Sequence, residues 1–202
     1  MPKLNKDFFI REDVVDIGKE LLGKCLFTKI DGQLTAGIVT ETEAYAGVSD
    51  KASHAYNNRR TKRTEIMFAE GGKSYVYLCY GIHCLFNIVT NVKDVPHAVL
   101  IRSIKPFEGI KTILKRRNHD LLTARTCSGP GTLSQALGIQ TKHSGLDLTK
   151  KAAPESADMI WLEDIGIKVM NKEIVAGPRI GVDYAQEDAL LPYRFRIAIN
   201  YS

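Results

Sequence analysis

The segment Val39-Thr40-Glu41-Thr42-Glu43-Ala44-Tyr45 carries two acids and a phenol at alternate positions. On a β-strand alternate side chains share a face, so Glu41, Glu43 and Tyr45 point one way and Thr40, Thr42 and Ala44 the other. The two carboxylates then stand roughly 7 Å apart at their Cα atoms. Such a set suits a solvated face, or a cleft in which one carboxylate activates water; spacing alone favours the solvated face. In Tyr75-Val76-Tyr77-Leu78-Cys79-Tyr80-Gly81-Ile82-His83, Tyr75 and Tyr77 share a face and Tyr80 takes the opposite parity. An exposed Tyr80 and Ile82 at a glycine turn could wedge between base pairs or pack beneath a neighbouring loop, and spacing alone favours packing. His54 lies in a polar loop, where a lone histidine is ordinarily a surface residue. Arg102 extends the apolar run Val99-Leu100-Ile101, and a charge inside a buried strand needs a partner such as Glu43, or a phosphate.

The elements that must position these residues follow from periodicity. Glu12 to Leu22 reads as a helix, with Val14, Ile17, Leu21 and Leu22 at helical spacing and Gly23 as its stop. Lys24–Ile30 and Gln33–Ala44 read as strands joined at Asp31-Gly32, a strong hairpin signal. Gly47 to Arg63 is polar and aperiodic, hence a loop. Ser74–Tyr80 and Cys84–Thr90 read as a second hairpin with its tip at Tyr80-Gly81-Ile82, and Ala98–Ile104 as a further strand. Pro106 is expected to open a helix whose apolar face is Ile110, Ile113 and Leu114. Ser128-Gly129-Pro130 starts another, with Leu133, Ala136 and Leu137 inward and Gly138 as stop. Thr149 to Asp158 is polar and irregular. Ile160–Leu162, Ile167–Met170 and Arg194–Ile199 are expected strands. Short hairpins with packed helices predict an α+β fold, a mixed and mostly antiparallel sheet.

The 202 residues and the absence of a linker fit one domain over 1–202. Apolar residues make up 44% of the chain, enough for a sizeable core. No apolar run is long enough to span a membrane, and the first residues carry no secretory signal, so a cytoplasmic location is expected. Cys25, Cys79, Cys84 and Cys127 lack zinc or thioredoxin spacing and read as inert thiols, with no metal and no cofactor. The net charge of +5 fits a polyanionic partner without demanding one. Basic residues cluster twice, in Lys51 to Arg63 and in Lys111 to Arg117. Arg59, Arg60, Lys62, Lys115, Arg116 and Arg117 are the candidates for phosphate contact, against the default of a solvated face.

Taken in order, Ile38 to Tyr45, His54, Tyr75 to Gly81, Asn87-Ile88, Leu100-Ile101-Arg102 and Cys127-Ser128-Gly129-Pro130-Gly131 resemble the alkyladenine (3-methyladenine, methylpurine) DNA glycosylases. The resemblance runs from about Leu21 to the carboxyl end. It implies a single curved-sheet domain with a protruding hairpin, acting on damaged purines flipped from duplex DNA. It implies Glu43 as the base that deprotonates water and Arg102 near that water and the target phosphate. Tyr45, His54 and Tyr77 would hold the flipped base, and Asn87 would exclude ordinary guanine. Tyr80, flanked by Gly81 and Ile82, would fill the gap left in the duplex. Glu41 is left as a bystander. Two departures stand out: Thr132 replaces a residue that is basic in many members, its phosphate contact being either absent or supplied by Lys115 to Arg117, and a long amino-terminal extension found in some members is missing. With no lysine nucleophile in the motifs, hydrolysis without strand cleavage is expected, by a monomer with no obligate protein partner. The competing readings are a non-catalytic nucleic-acid-binding module and a glycoside hydrolase using Glu41 and Glu43.

Overall fold

The computed structural model describes residues 2–150 and 157–198. Twelve regular helices and strands follow in order: α1 (Lys6–Phe9), α2 (Val14–Glu20), β1 (Cys25–Ile30), β2 (Gln33–Tyr45), β3 (Lys73–Cys79), β4 (His83–Thr90), β5 (His97–Glu108), α3 (Ile110–Arg117), α4 (Pro130–Leu137), β6 (Met159–Glu163), β7 (Ile174–Gly177) and β8 (Arg194–Ile197). The fold is α+β. Eight strands form one sheet, ordered β3-β4-β5-β2-β1-β6, with β8 added to β2 and β7 to β8. Every pairing between these strands is antiparallel. Among the described residues no helix is long and apolar enough to cross a membrane.

The long strand β2 organises the sheet. One edge pairs with β5 along most of its length. The other edge is shared: β1 takes Gln33–Ile38 and β8 takes Glu41–Glu43. Asp31 and Gly32 both adopt positive φ, as the β1–β2 hairpin signal requires. Inward side chains of β2, β4 and β5, including Val39, Phe86, Ile88, Val99 and Ile101, meet Ile17 of α2, Leu21 just after it, and Leu133, Ala136 and Leu137 of α4 in the main core. Asp13 caps α2 by accepting from the amides of Val15 and Asp16.

Two expectations are corrected. Pro106 lies within β5, opposite Gly37, where the register shifts. A strand irregularity tolerates the missing N–H as well as a helix start does. The helix begins at Ile110, after Gly109 at φ +70°. Residues 167–170 form no strand; the strand is β7, four residues later, because that is the stretch that β8 pairs. Residues 151–156 of the expected irregular tract, and Ile199 at the end of the expected last strand, lie outside the described residues.

Candidate active site

The register sets the site. Tyr75 of β3 pairs with Asn87 of β4, Asn87 with Leu100 of β5, and Leu100 with Glu43 of β2. Residues opposite one another across a ladder project to the same side, so one row across four strands brings Tyr75, Asn87 and Glu43 together. Arg102 enters the row through an irregularity. Ile101 pairs with Thr42 but Ser103 with Glu41, leaving Arg102 as the extra residue on β5; Val39 pairs with Ile104, leaving Thr40 as the extra one on β2. Paired bulges of this kind re-aim side chains where a regular ladder could not.

Glu43 is 0% exposed. Its Oε2 accepts from the Tyr45 hydroxyl at 2.8 Å, and its Oε1 accepts from the backbone N–H of Ile180 at 2.8 Å. Oε1 also lies 3.2 Å from Nη1 of Arg102. All three neighbours are donors. A carboxylate offers about four lone-pair sites, so one remains on Oε2 for a water. Arg102 turns its Nε to Glu41 at 3.2 Å, and Glu41 also accepts from Arg194 at 3.1 Å. Arg194, Glu41, Arg102 and Glu43 therefore form a continuous run of alternating charge. Glu41 is not the bystander that the sequence reading made it: it neutralises and orients the arginine. Nor do Glu41 and Glu43 flank an open gap, as paired acids across one glycosidic bond would, since Arg102 bridges them.

Tyr45, His54, Tyr77, Asn87 and Arg102 all line one cavity of about 400 Å³, within the roughly 300–1,000 Å³ usual for small-ligand pockets. The Tyr77 ring meets His54 edge-on, at 4.7 Å between centroids. His54 shares a 2.8 Å hydrogen bond between Nδ1 and the Tyr75 hydroxyl. Burial, with Arg63 and Arg59 nearby, lowers the His54 pKa to about 4, so the ring is neutral at ordinary pH and keeps one N–H donor. Burial and then Glu43 push the Tyr45 phenol well up, which keeps it protonated and donating. Burial likewise raises Tyr75 to about 12. Asn87 is held by its side-chain amide, which donates to the Tyr75 carbonyl at 3.1 Å.

Tyr80 lines the cavity and is 89% exposed, and Ile82, two residues on, is 73% exposed. Tyr80 and Gly81 both have positive φ, and the Ile82 N–H closes the turn on the Cys79 carbonyl at 3.1 Å. A non-glycine residue held in this conformation costs on the order of 1–3 kcal/mol. The exposed tip therefore keeps a tyrosine where asparagine or glycine would fit more easily.

The basic candidates divide. Arg60 is spent on Glu65 and Asp94. Arg116 is turned inward, donating to the carbonyls of Ile30 and Ala136 and to the Thr35 hydroxyl. Arg117 donates to the Thr126 carbonyl and to Gln135. These three are held by the protein itself. Arg59, Lys62 and Lys115 are exposed, with no side-chain hydrogen bond or ion pair among the described residues. Thr132 bonds its own helix start, at the Gly129 carbonyl, so of the three cations expected to replace it only Lys115 is free to do so.

The segment 178–190 contributes most that the sequence did not announce. Arg179 is buried and forms a two-pronged pair with Asp50 while donating to the carbonyls of Ala44 and Asp188. Its guanidinium lies over the Tyr45 ring at 4.8 Å from the centroid. The clamp brings the Ile180 amide to Glu43, and Ile180, Gly181, Val182 and Tyr184 to the cavity. A backbone donor has no residue-type signature, and Asp50 and Arg179 are 129 positions apart. Arg63, which also lines the cavity, was visible as part of the basic loop.

The family model for methylpurine-DNA glycosylase (MPG) matches residues 7–201. A candidate 3-methyladenine DNA glycosylase of Chlamydia felis is 44% identical over 98% of both chains. One of Clostridium novyi is 43% identical, covering 98% of this chain and 96% of its own, and one of Bacillus cereus is 42% identical over 93% and 92%. With a buried carboxylate beside a tyrosine- and histidine-lined cavity, and these matches along nearly the whole length, the chain belongs to the methylpurine-DNA glycosylase family.

Proposed function

We propose that this protein is a base-excision repair glycosylase that hydrolyses the N-glycosidic bond of alkylated or deaminated purines flipped out of duplex DNA. The observation that carries the reading is Glu43: a fully buried carboxylate, fed by three donors, with one lone-pair site left beside a cavity of base-holding side chains. The relatives' names support the same activity.

A glycosidic bond inside the duplex is inaccessible, so the nucleotide must be extruded. Tyr80 fills the vacated stack, an aromatic contact contributing on the order of 1–3 kcal/mol per base. The extruded purine lies among Tyr45, Tyr77 and His54. Alkylation at N3 or N7 makes the base cationic, and electron-rich phenol rings favour it; Arg179 already covers one face of Tyr45, leaving the other. Asn87 stands in the wall as the residue that discriminates against guanine's exocyclic group. Water held on Oε2 of Glu43 attacks C1′ of the sugar. Its proton passes to Glu43, the C1′–N bond breaks, and the bonding pair leaves with the purine. Arg102 keeps Glu43 aimed and, at the cavity wall, faces the target phosphate. No lysine is among the described residues lining the cavity, which supports hydrolysis without strand cleavage. 3-Methyladenine, 7-methylguanine, hypoxanthine and ethenoadenine are the candidate bases, and the protein acts as a monomer in the cytoplasm, without metal.

The test is base release from methylated and inosine-containing duplexes with EDTA present. Glu43→Gln is expected to bind lesion DNA as the wild type does and to lose release by roughly 10²–10⁴-fold, the range for a positioned acid–base group. A Glu43→Gln variant that excises at the wild-type rate refutes the mechanism. A borohydride-trapped enzyme–DNA adduct refutes the hydrolytic step.

A further inference from the structure

Tyr184 is the residue that the mechanism leaves unused. It sits in the 3₁₀ segment Asp183–Leu190, lines the cavity that Tyr77 and Tyr80 also line, and is 64% exposed. An exposed aromatic is ordinarily mobile. This one is fixed at both ends. Its hydroxyl donates to the Ala52 carbonyl at 3.1 Å. Its neighbours Val182 and Ala185 are buried with Ala52 in a small apolar cluster against which Tyr45 packs. The Arg179–Asp50 pair holds the base of the same segment. The protein thus spends two anchors on keeping an apolar ring in water beside the mouth of a cavity, an arrangement typical of surfaces that contact a ligand.

We propose that Tyr184 is the outer wall of the nucleotide pocket, contacting the deoxyribose of the extruded nucleotide on the side of the mouth away from the sheet. The proposal rests on the base-flipping reading above and adds the residue that holds the sugar. The floor of the cavity is taken by residues suited to a purine: Tyr45, Tyr77, His54 and Asn87. What remains at the mouth once a base is seated is its sugar, whose C–H face packs on an aromatic ring. Tyr184 also joins the two segments that deliver His54 and the Ile180 amide, so its contact with the sugar would report that both are in place.

The experiment compares Tyr184→Ala and Tyr184→Phe with the wild type on duplexes carrying ethenoadenine, using its fluorescence to read extrusion and single-turnover kinetics to read chemistry. Tyr184→Ala is expected to reduce the extruded fraction about tenfold, the scale of one lost aromatic contact, while lesion-free DNA affinity and the melting temperature stay near wild type. Tyr184→Phe, which keeps the ring and loses the hydrogen bond to Ala52, is expected to retain most of the extrusion. Wild-type extrusion in both variants overturns the proposal. So does an equal loss in both, because the hydroxyl anchor would then be all that matters. A wild-type protein that releases no base from any damaged duplex would instead sink the functional reading itself.

Discussion

His54 shows how one side chain's surroundings fix its role. Burial, Arg63 and Arg59 lower its pKa from 6.5 to about 4, so no charge appears on the ring across the physiological range. The same shift bears on stability. Between pH 6.5 and 4 the unfolded chain binds a proton at this position that the folded chain refuses, so folding weakens as the pH falls through that window. Above pH 6.5 both states are neutral and the effect vanishes. A His54→Gln variant is therefore expected to lose less melting temperature than the wild type between pH 6.5 and 4.5, and to track it above pH 7. His97, lowered chiefly by burial, adds the same slope to both proteins and cancels. Melting curves that run parallel at every pH would show that His54 titrates normally. Legibility at this scale was good where residue type carried the signal. Alternation put Glu43 and Tyr45 on one face but favoured solvent there, and only the family resemblance singled them out; Arg102 stood out as a charge in an apolar run. The reading failed on Glu41 because nothing local shows that Arg102 and Arg194 converge on it.

At the scale of elements, the segment after β7 depends on one clamp. Asp50 and Arg179 are both buried, and Asp50 also accepts from the amides of Ala46 and Ala52. Removing one member of a buried pair strands the other, at a cost of about 3–5 kcal/mol. Asp50→Ala should therefore lower unfolding stability by that amount in a urea titration, and should also slow base release by freeing the Ile180 amide from Glu43. A variant with wild-type stability would mean that the pair is replaceable by solvent. The strands and hairpins around this segment were legible because period-2 patterning and turn residues are local. Pro106 was misplaced because a missing N–H is tolerated equally by a helix start and by a strand irregularity. Residues 167–170 and β7 have similar composition, and only the long-range partner β8 separates them.

For the whole molecule, net charge of +5 overstates the surface available to DNA, since Arg60, Arg116 and Arg117 are already committed. Lys115→Ala should weaken binding to any duplex and reduce the slope of log affinity against log salt by about 0.9, one phosphate contact's worth. Arg116→Ala should leave that slope alone and lower stability instead. If the two variants exchange these behaviours, the division of the basic residues is wrong. The site's wiring also sets when it can come into being. Glu43 and the Ile180 amide that completes it are 137 residues apart, and ribosomes add about 5–20 residues per second. For on the order of ten seconds, then, an emerging chain already carries Glu43, Tyr45, Tyr75, Tyr77 and the exposed Tyr80, yet cannot assemble the carboxylate's full set of donors. If Glu43 acts as proposed, catalytic competence arrives last, in the final stretch of synthesis, and a prematurely truncated product would keep the proposed DNA-contacting residues with an incomplete means of cutting a base from the strand.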